Sequence, residues 1–204
     1  MKIIFDFDDV LFKASDFKQV IFDTLKRFGI NDGNLLYEGE RKTGIPFTLK
    51  RFLYRVFEQN PEVQVDTDAV YEEIMNTCKD LSNQEIIQTI TKIGKDNCYI
   101  VSNGDSEYQY DKITRVGLDK LVAKIIIVPG TKNMEIQRIC NEFPHEEVIF
   151  VDDKSIYFDD INREACPNLT TVTYDEHGQA NLEAKISAGL LAEQKKYSPS
   201  IPMR

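Results

Sequence analysis

Residues 2–10 read KIIFDFDDV. Residues 2–7 read as a short buried strand, led by the unbroken apolar run Ile3, Ile4 and Phe5 that marks a strand covered on both faces. The run meets three carboxylates within four positions: Asp6, Asp8 and Asp9. Like charges packed so closely repel unless a cation offsets them. A buried strand that ends this way calls for positive charge from elsewhere in the chain.

Working outward, the next stretch is helical. SDFKQVIFDTLKRFG (15–29) has Ser15 as a candidate N-cap and Gly29 as a stop. PFTLKRFLYRVFEQN (46–60) places Pro46 in a first turn, with Phe52, Val56 and Phe57 at helical spacing, and DTDAVYEEIMNTCKDL (66–81) continues the pattern. Beyond residue 81 the character changes. SNQEIIQTITKIG (82–94) carries the S-x-x-E capping pattern of Ser82 and Glu85 and ends at a glycine. Strands are expected at CYIVS (98–102), KIIIV (124–128), EVIFVDD (147–153) and LTTVTY (169–174). Helices are expected between them at 106–117, 133–143 and 155–165, and again at 180–196. Short apolar strands alternating with helices predict an α/β fold, a doubly wound, Rossmann-like parallel sheet. The domain organisation expected is a discontinuous core of residues 1–13 and 82–190, a helical module at 14–81, and a tail at 191–204.

Bulk composition narrows the function classes. The chain has 204 residues, 42% of them hydrophobic, enough for one domain with an insertion. A net charge of −9 disfavours nucleic acid and anionic membrane surfaces as partners. Cys78, Cys98, Cys140 and Cys166 are scattered, without zinc spacing or a disulfide-scaffold density, and read as buried thiols. No apolar run reaches membrane-spanning length, and the early aspartates interrupt any secretory h-region, so a cytoplasmic location is expected.

In open parallel sheets ligands bind beyond the carboxyl ends of the strands. Those ends carry Asp6 and Asp8, then Ser102 and Asn103, then Lys132 in the loop after 124–128, then Asp152 and Asp153. Singly, each has a plain alternative: a solvated turn, a helix cap, a surface lysine, a capped helix start. Together, each just after its own strand, they form a set. Clustered carboxylates favour a hard cation such as Mg²⁺, and a carboxylate, a hydroxyl and a lysine around it suit phosphoryl transfer.

These residues resemble the motifs of the haloacid dehalogenase superfamily of phosphohydrolases, in order and over nearly the whole chain. FDFDDVLF is similar to motif I, YIVSNG to motif II, Lys132 in PGTKNMEI to motif III and VIFVDD to motif IV, while the helical insertion resembles a C1-type cap. The resemblance implies Asp6 as nucleophile, Asp8 as general acid and base, Ser102 and the Asn103 region as phosphoryl donors, and Lys132 as the neutralising cation. It also implies Mg²⁺ held by Asp6, the Asp8 carbonyl and a motif IV acid, with Asp153 direct and Asp152 through water or on Lys132. An acid at Asp8 favours phosphate esters over carbon–halogen bonds. The chain departs from the commoner pattern at Asp9, where glycine is frequent, and at Asn133, where proline is usual; Lys112 and Lys124 are the fallback lysines. Asp159 and Asp160 are distant for a further motif IV acid.

The expectation is a Mg²⁺-dependent phosphatase acting on a small phosphorylated metabolite, as a monomer or homodimer. Rival expectations are a phosphomutase, a receiver-like phospho-acceptor domain and a non-catalytic binding scaffold. In the cap, Arg41 and Lys42 beside the loop KTGIP are the candidate substrate contacts, ahead of Lys50, Arg51 and Arg55.

Overall fold

The structure, a computed structural model, describes residues 1–197. Five strands, β1 (Lys2–Phe5), β2 (Cys98–Asn103), β3 (Lys124–Val128), β4 (Val148–Asp152) and β5 (Leu169–Thr173), form one parallel sheet in the order β3-β2-β1-β4-β5. Central β1 is flanked on both sides, with Phe5 opposite Ile100 of β2 and Val151 of β4. The chain builds β2 and β3 to one side of β1, then crosses to β4 on the other. The β1/β4 boundary is thus the topological switch point, where an open sheet forms its ligand crevice.

Side-chain alternation splits the core in two. Ile3, Phe5, Ile100, Ile149 and Val151 face one hydrophobic cluster, and Ile4, Tyr99, Val101, Val148 and Phe150 face the other. Between β1 and β2 run α1 (Ala14–Arg27), α2 (Gly33–Arg41), α3 (Leu49–Gln59), α4 (Thr67–Met75) and α5 (Gln84–Ile93). Their apolar faces, through Phe17, Ile21, Phe52, Val56 and Ile74, join the first cluster without a break. The segments leading into and out of the helical insertion pair with each other: Lys13 donates to the Leu81 carbonyl (2.8 Å) and Asn83 to that of Leu11 (2.8 Å). The remaining helices are α6 (Ser106–Val116), α7 (Asn133–Glu142), the single turn α8 (Ile156–Asp159) and α9 (Gly178–Tyr197). All four cysteines are free and buried, and no helix among the described residues is long and apolar enough to cross a membrane.

Several local expectations need correction. β1 stops at Phe5. Ser15 lies inside α1 rather than capping it; its N–H is taken by Asp9 Oδ1 at 3.2 Å. Pro46 precedes α3, whose cap is Thr48. Ser82 and Glu85 form no capping box, because Ser82 Oγ accepts from Gln84 (2.5 Å) while Asn83 reaches the Val10 carbonyl (3.1 Å) and Tyr174 Oη (2.8 Å). Tertiary ties have displaced the local cap. The helix expected at 155–165 is only α8, since Asn162 Oδ1 captures the N–H groups of Glu164 and Ala165 in a competing turn. α9 continues to Tyr197, into the stretch read as tail; residues 198–204 lie outside the described residues.

Candidate active site

The carboxyl ends of β1, β2 and β4 open on a cavity of about 370 Å³ roofed by α1, α2 and the α2–α3 loop. Asp6, Asp8, Ser102, Asn103, Lys132, Lys154 and Arg41 all line it.

Asp6 follows the last residue of β1, and its N–H is bonded to the Val151 carbonyl at 2.9 Å. Lys132, the N-cap residue of α7, is 2% exposed. Its Nζ lies 2.8 Å from Asp6 Oδ1 and 2.6 Å from Asp152 Oδ2, with the Tyr157 ring 4.8 Å away. One ammonium thus serves two buried carboxylates. Burial pushes Asp6 up to about 7, against the pull of Lys132, and Asp152 and Asp8 add to the rise. Asp152 is raised by burial as well. For Lys132, burial favours the neutral amine, but the two carboxylates outweigh it and its pKa is raised.

Asp153 completes an acidic group: one oxygen from each of Asp6, Asp152 and Asp153 lies within 4.8 Å of the others. Asp153 pairs with Lys154 Nζ at 3.1 Å. Carboxylate oxygens this close, with lysine charge too scarce to hold the Asp6 carboxyl at its ordinary acidity, are the donor set a Mg²⁺ ion takes. The residues present therefore fit that ion.

Because β1 ends at Phe5, Asp8 turns toward α6, where Lys112 Nζ meets Oδ1 at 2.7 Å and Gln109 Nε2 meets Oδ2 at 2.8 Å. Lys112, a fallback for the Lys132 position in the sequence, is instead the cation of Asp8. Lys124 stands exposed at the start of β3. Asp9 has a φ of 59°, a left-handed turn that aspartate tolerates better than most residues, and so steers the chain away from β1 into α1.

Ser102, at 1% exposure, presents its hydroxyl to Gln109 Nε2 at 3.1 Å. It is free of helix capping, since α6 is capped by Asp105, whose side chain accepts from Tyr108 N at 3.0 Å. Asn103 donates to the Gly130 carbonyl. Asp159 and Asp160 are exposed on α8 and its cap, apart from the acidic cluster.

On the side of the helical insertion, Arg41 lines the cavity and Lys42 does not. Arg51 and Arg55 turn away to the buried Glu40, at 2.7 and 2.5 Å, and Arg51 also holds the Pro46 carbonyl at 2.7 Å. Lys50 pairs with Asp68. Sequence reasoning missed Gln109, Lys154 and Tyr157: Lys154 follows directly on VIFVDD but is a plain surface lysine by sequence, and Gln109 and Tyr157 lie within α6 and α8.

No protein-family profile matches the chain, and no curated protein matches its sequence. Solved structures do. A protein from Burkholderia xenovorans assigned as a haloacid dehalogenase-like hydrolase superposes with a TM-score of 0.64 at 19% identity, covering 87% of this chain and 84% of its own. The L-2-haloacid dehalogenase of Xanthobacter autotrophicus gives 0.53 at 12% identity, covering 92% and 82%. A HAD family hydrolase from Deinococcus radiodurans, with bound phosphate and sodium, gives 0.52 at 16%, covering 93% and 96%. With its parallel sheet, its order around β1 and its acidic switch point, this chain has the fold of the haloacid dehalogenase-like hydrolases.

Proposed function

We propose that the chain is a Mg²⁺-dependent phosphatase that hydrolyses a small phosphate monoester through an aspartyl-phosphate on Asp6. The observation that carries this reading is the shared lysine: Lys132 joins Asp6 to Asp152 beside Asp153, while Asp8, on its own cation, fronts the same cavity. A carbon–halogen hydrolase needs the nucleophile but no proton for a halide leaving group, so the second aspartate supports the phosphate ester.

Mg²⁺, held by Asp6, Asp153 and the Asp8 carbonyl, would supply charge neutralisation at the transferring phosphoryl group. The chain's own groups do the rest. An Asp6 carboxylate oxygen attacks phosphorus; the O–P bond forms as the ester O–P bond breaks, and Asp8 gives its proton to the departing oxygen. Water then attacks the same phosphorus, the Asp6 O–P bond breaks, and the proton returns to Asp8. Ser102 donates to a phosphoryl oxygen, and Lys132 holds Asp6 in place and offsets phosphate charge. A cavity of about 370 Å³ suits a small metabolite.

The test is a hydrolysis screen over phosphorylated metabolites, with 2-haloacids alongside and Asp6→Asn as control. Expected are turnover of at least one phosphate ester, its loss in EDTA, and its loss in Asp6→Asn. Wild-type turnover by Asp6→Asn, or turnover of haloacids alone, would overturn the reading.

A further inference from the structure

Two side chains one helical turn apart on α6, Gln109 and Lys112, close on Asp8. Both are buried: Gln109 is 4% exposed, and so is Lys112. Gln109 Nε2 faces three acceptors, Asp8 Oδ2 at 2.8 Å, the Asn103 carbonyl at 3.0 Å and Ser102 Oγ at 3.1 Å. Its other end, Oε1, is buried with no partner. Reversing the amide would set that oxygen against the Asp8 carboxylate and the Asn103 carbonyl, so the orientation is fixed by the acceptors. A buried carbonyl without a donor costs stability, and such a group needs a reason. The backbone makes room for it: a Cβ on Gly104 would meet Gln109 Cγ at 3.0 Å.

Lys112 is caged. Its Nζ sits 5.0 to 5.2 Å from the ring centroids of Phe7, Phe12 and Tyr108. Phe7 and Phe12 stack at 5.1 Å and bracket Asp8 in sequence. The ammonium therefore holds both the carboxylate and the loop that bears it.

We propose that Gln109 and Lys112 are positioning residues that fix the Asp8 carboxyl group for proton delivery to the leaving oxygen. The inference rests on the phosphatase reading above. Both also line the cavity; the role assigned to them runs through their contacts to Asp8.

The experiment compares kcat/KM for phenyl phosphate and 2,4-dinitrophenyl phosphate with Mg²⁺ present, in wild type, Gln109→Leu, Gln109→Asn and Lys112→Met. kcat/KM reports formation of the aspartyl-phosphate and is blind to its later hydrolysis. Phenoxide needs a proton as it leaves; dinitrophenoxide does not. For each variant, phenyl phosphate should lose about 10- to 100-fold while the dinitrophenyl ester loses less than about 3-fold. In an Asp8→Asn background, Gln109→Leu should add nothing further for phenyl phosphate. Equal losses on both esters, no loss on either, or additive losses with Asp8→Asn would overturn the inference. Gln109→Asn, which keeps the amide but shortens its reach, decides the matter if the leucine variant misfolds. If wild type hydrolyses neither ester nor any other phosphate, the phosphatase reading fails first; if wild type is active and the ester ratio does not move, only the positioning role fails.

Discussion

Lys132, at the strand-borne end of the cavity, is 2% exposed and touches two carboxylates. Arg41, at the end formed by the helical insertion, is exposed and has no carboxylate partner among the described residues. The same contrast runs through both regions. Asp6, Ser102 and Asp152 are buried at strand ends, with partners fixed by the sheet register. The loop of residues 42–46 is exposed and braced from behind by Arg51 on the Pro46 carbonyl. One region is bound into folding energetics, so its chemistry and its stability are inseparable. The other can change its side chains with little effect on the fold, which is what the proposed substrate contact at Arg41 requires.

The comparison breaks most visibly at Lys132. Replacing it with methionine leaves Asp6 and Asp152 buried without their shared cation. Removing one partner of a buried ion pair costs about 3–5 kcal/mol, and Lys132→Met should lose that much in urea unfolding at pH 7. The deficit should shrink near pH 5, where the two acids can take up protons instead. A loss below about 1 kcal/mol at pH 7 would show that the strand-borne half is not held by this pair.

A smaller effect follows from protons and metal. Burial raises Asp6 to about 7, and Asp152 is raised also. Between the ordinary carboxylate value of 3.8 and about 7 the folded chain therefore binds more protons than the unfolded one. That contribution to stability is complete below 3.8 and lost as pH rises through 7. Metal-free protein should thus lose stability over this window. Mg²⁺ takes the deprotonated acids, so it should raise the unfolding temperature more at pH 8 than at pH 5. At 100 times its dissociation constant, the gain at pH 8 should be about 2.7 kcal/mol. Equal shifts at both pH values would separate the metal site from Asp6 and Asp152.

The two regions also differ in how much of them the sequence discloses. Asp6, Ser102 and Asp152 are legible because each ends an apolar run that can only be a buried strand. Lys132 is legible only through its place after β3. Gln109 is not, and Lys112 is legible only as a fallback for Lys132, since both lie within α6 and their meeting with Asp8 depends on how that helix approaches the loop after β1. Within the insertion, α2 opens on Gly33 with no side-chain cap, and its amphipathic face is short. The arginines of the insertion look alike in sequence. What sorts them is Glu40, 11 positions from Arg51 and 15 from Arg55, which takes both away from the cavity. Such pairings are set by helix–helix geometry, which periodicity alone does not contain.

The smallest expected change in stability, and the sharpest test of the contrast, is at Arg41. An exposed arginine without an ion pair can be cut to alanine within about 0.5 kcal/mol, so Arg41→Ala should unfold with wild type. Facing the cavity, it should still matter to the substrate: loss of a charge-assisted contact worth about 1.5–3 kcal/mol lowers kcat/KM by roughly 10-fold or more. Lys42→Ala is the paired control, because Lys42 closes α2 outside the cavity lining; neither its stability nor its kcat/KM should move. A destabilised Arg41→Ala would join that residue to the structural half of the site, and an equal loss in Lys42→Ala would make the effect one of the insertion's overall charge rather than of position.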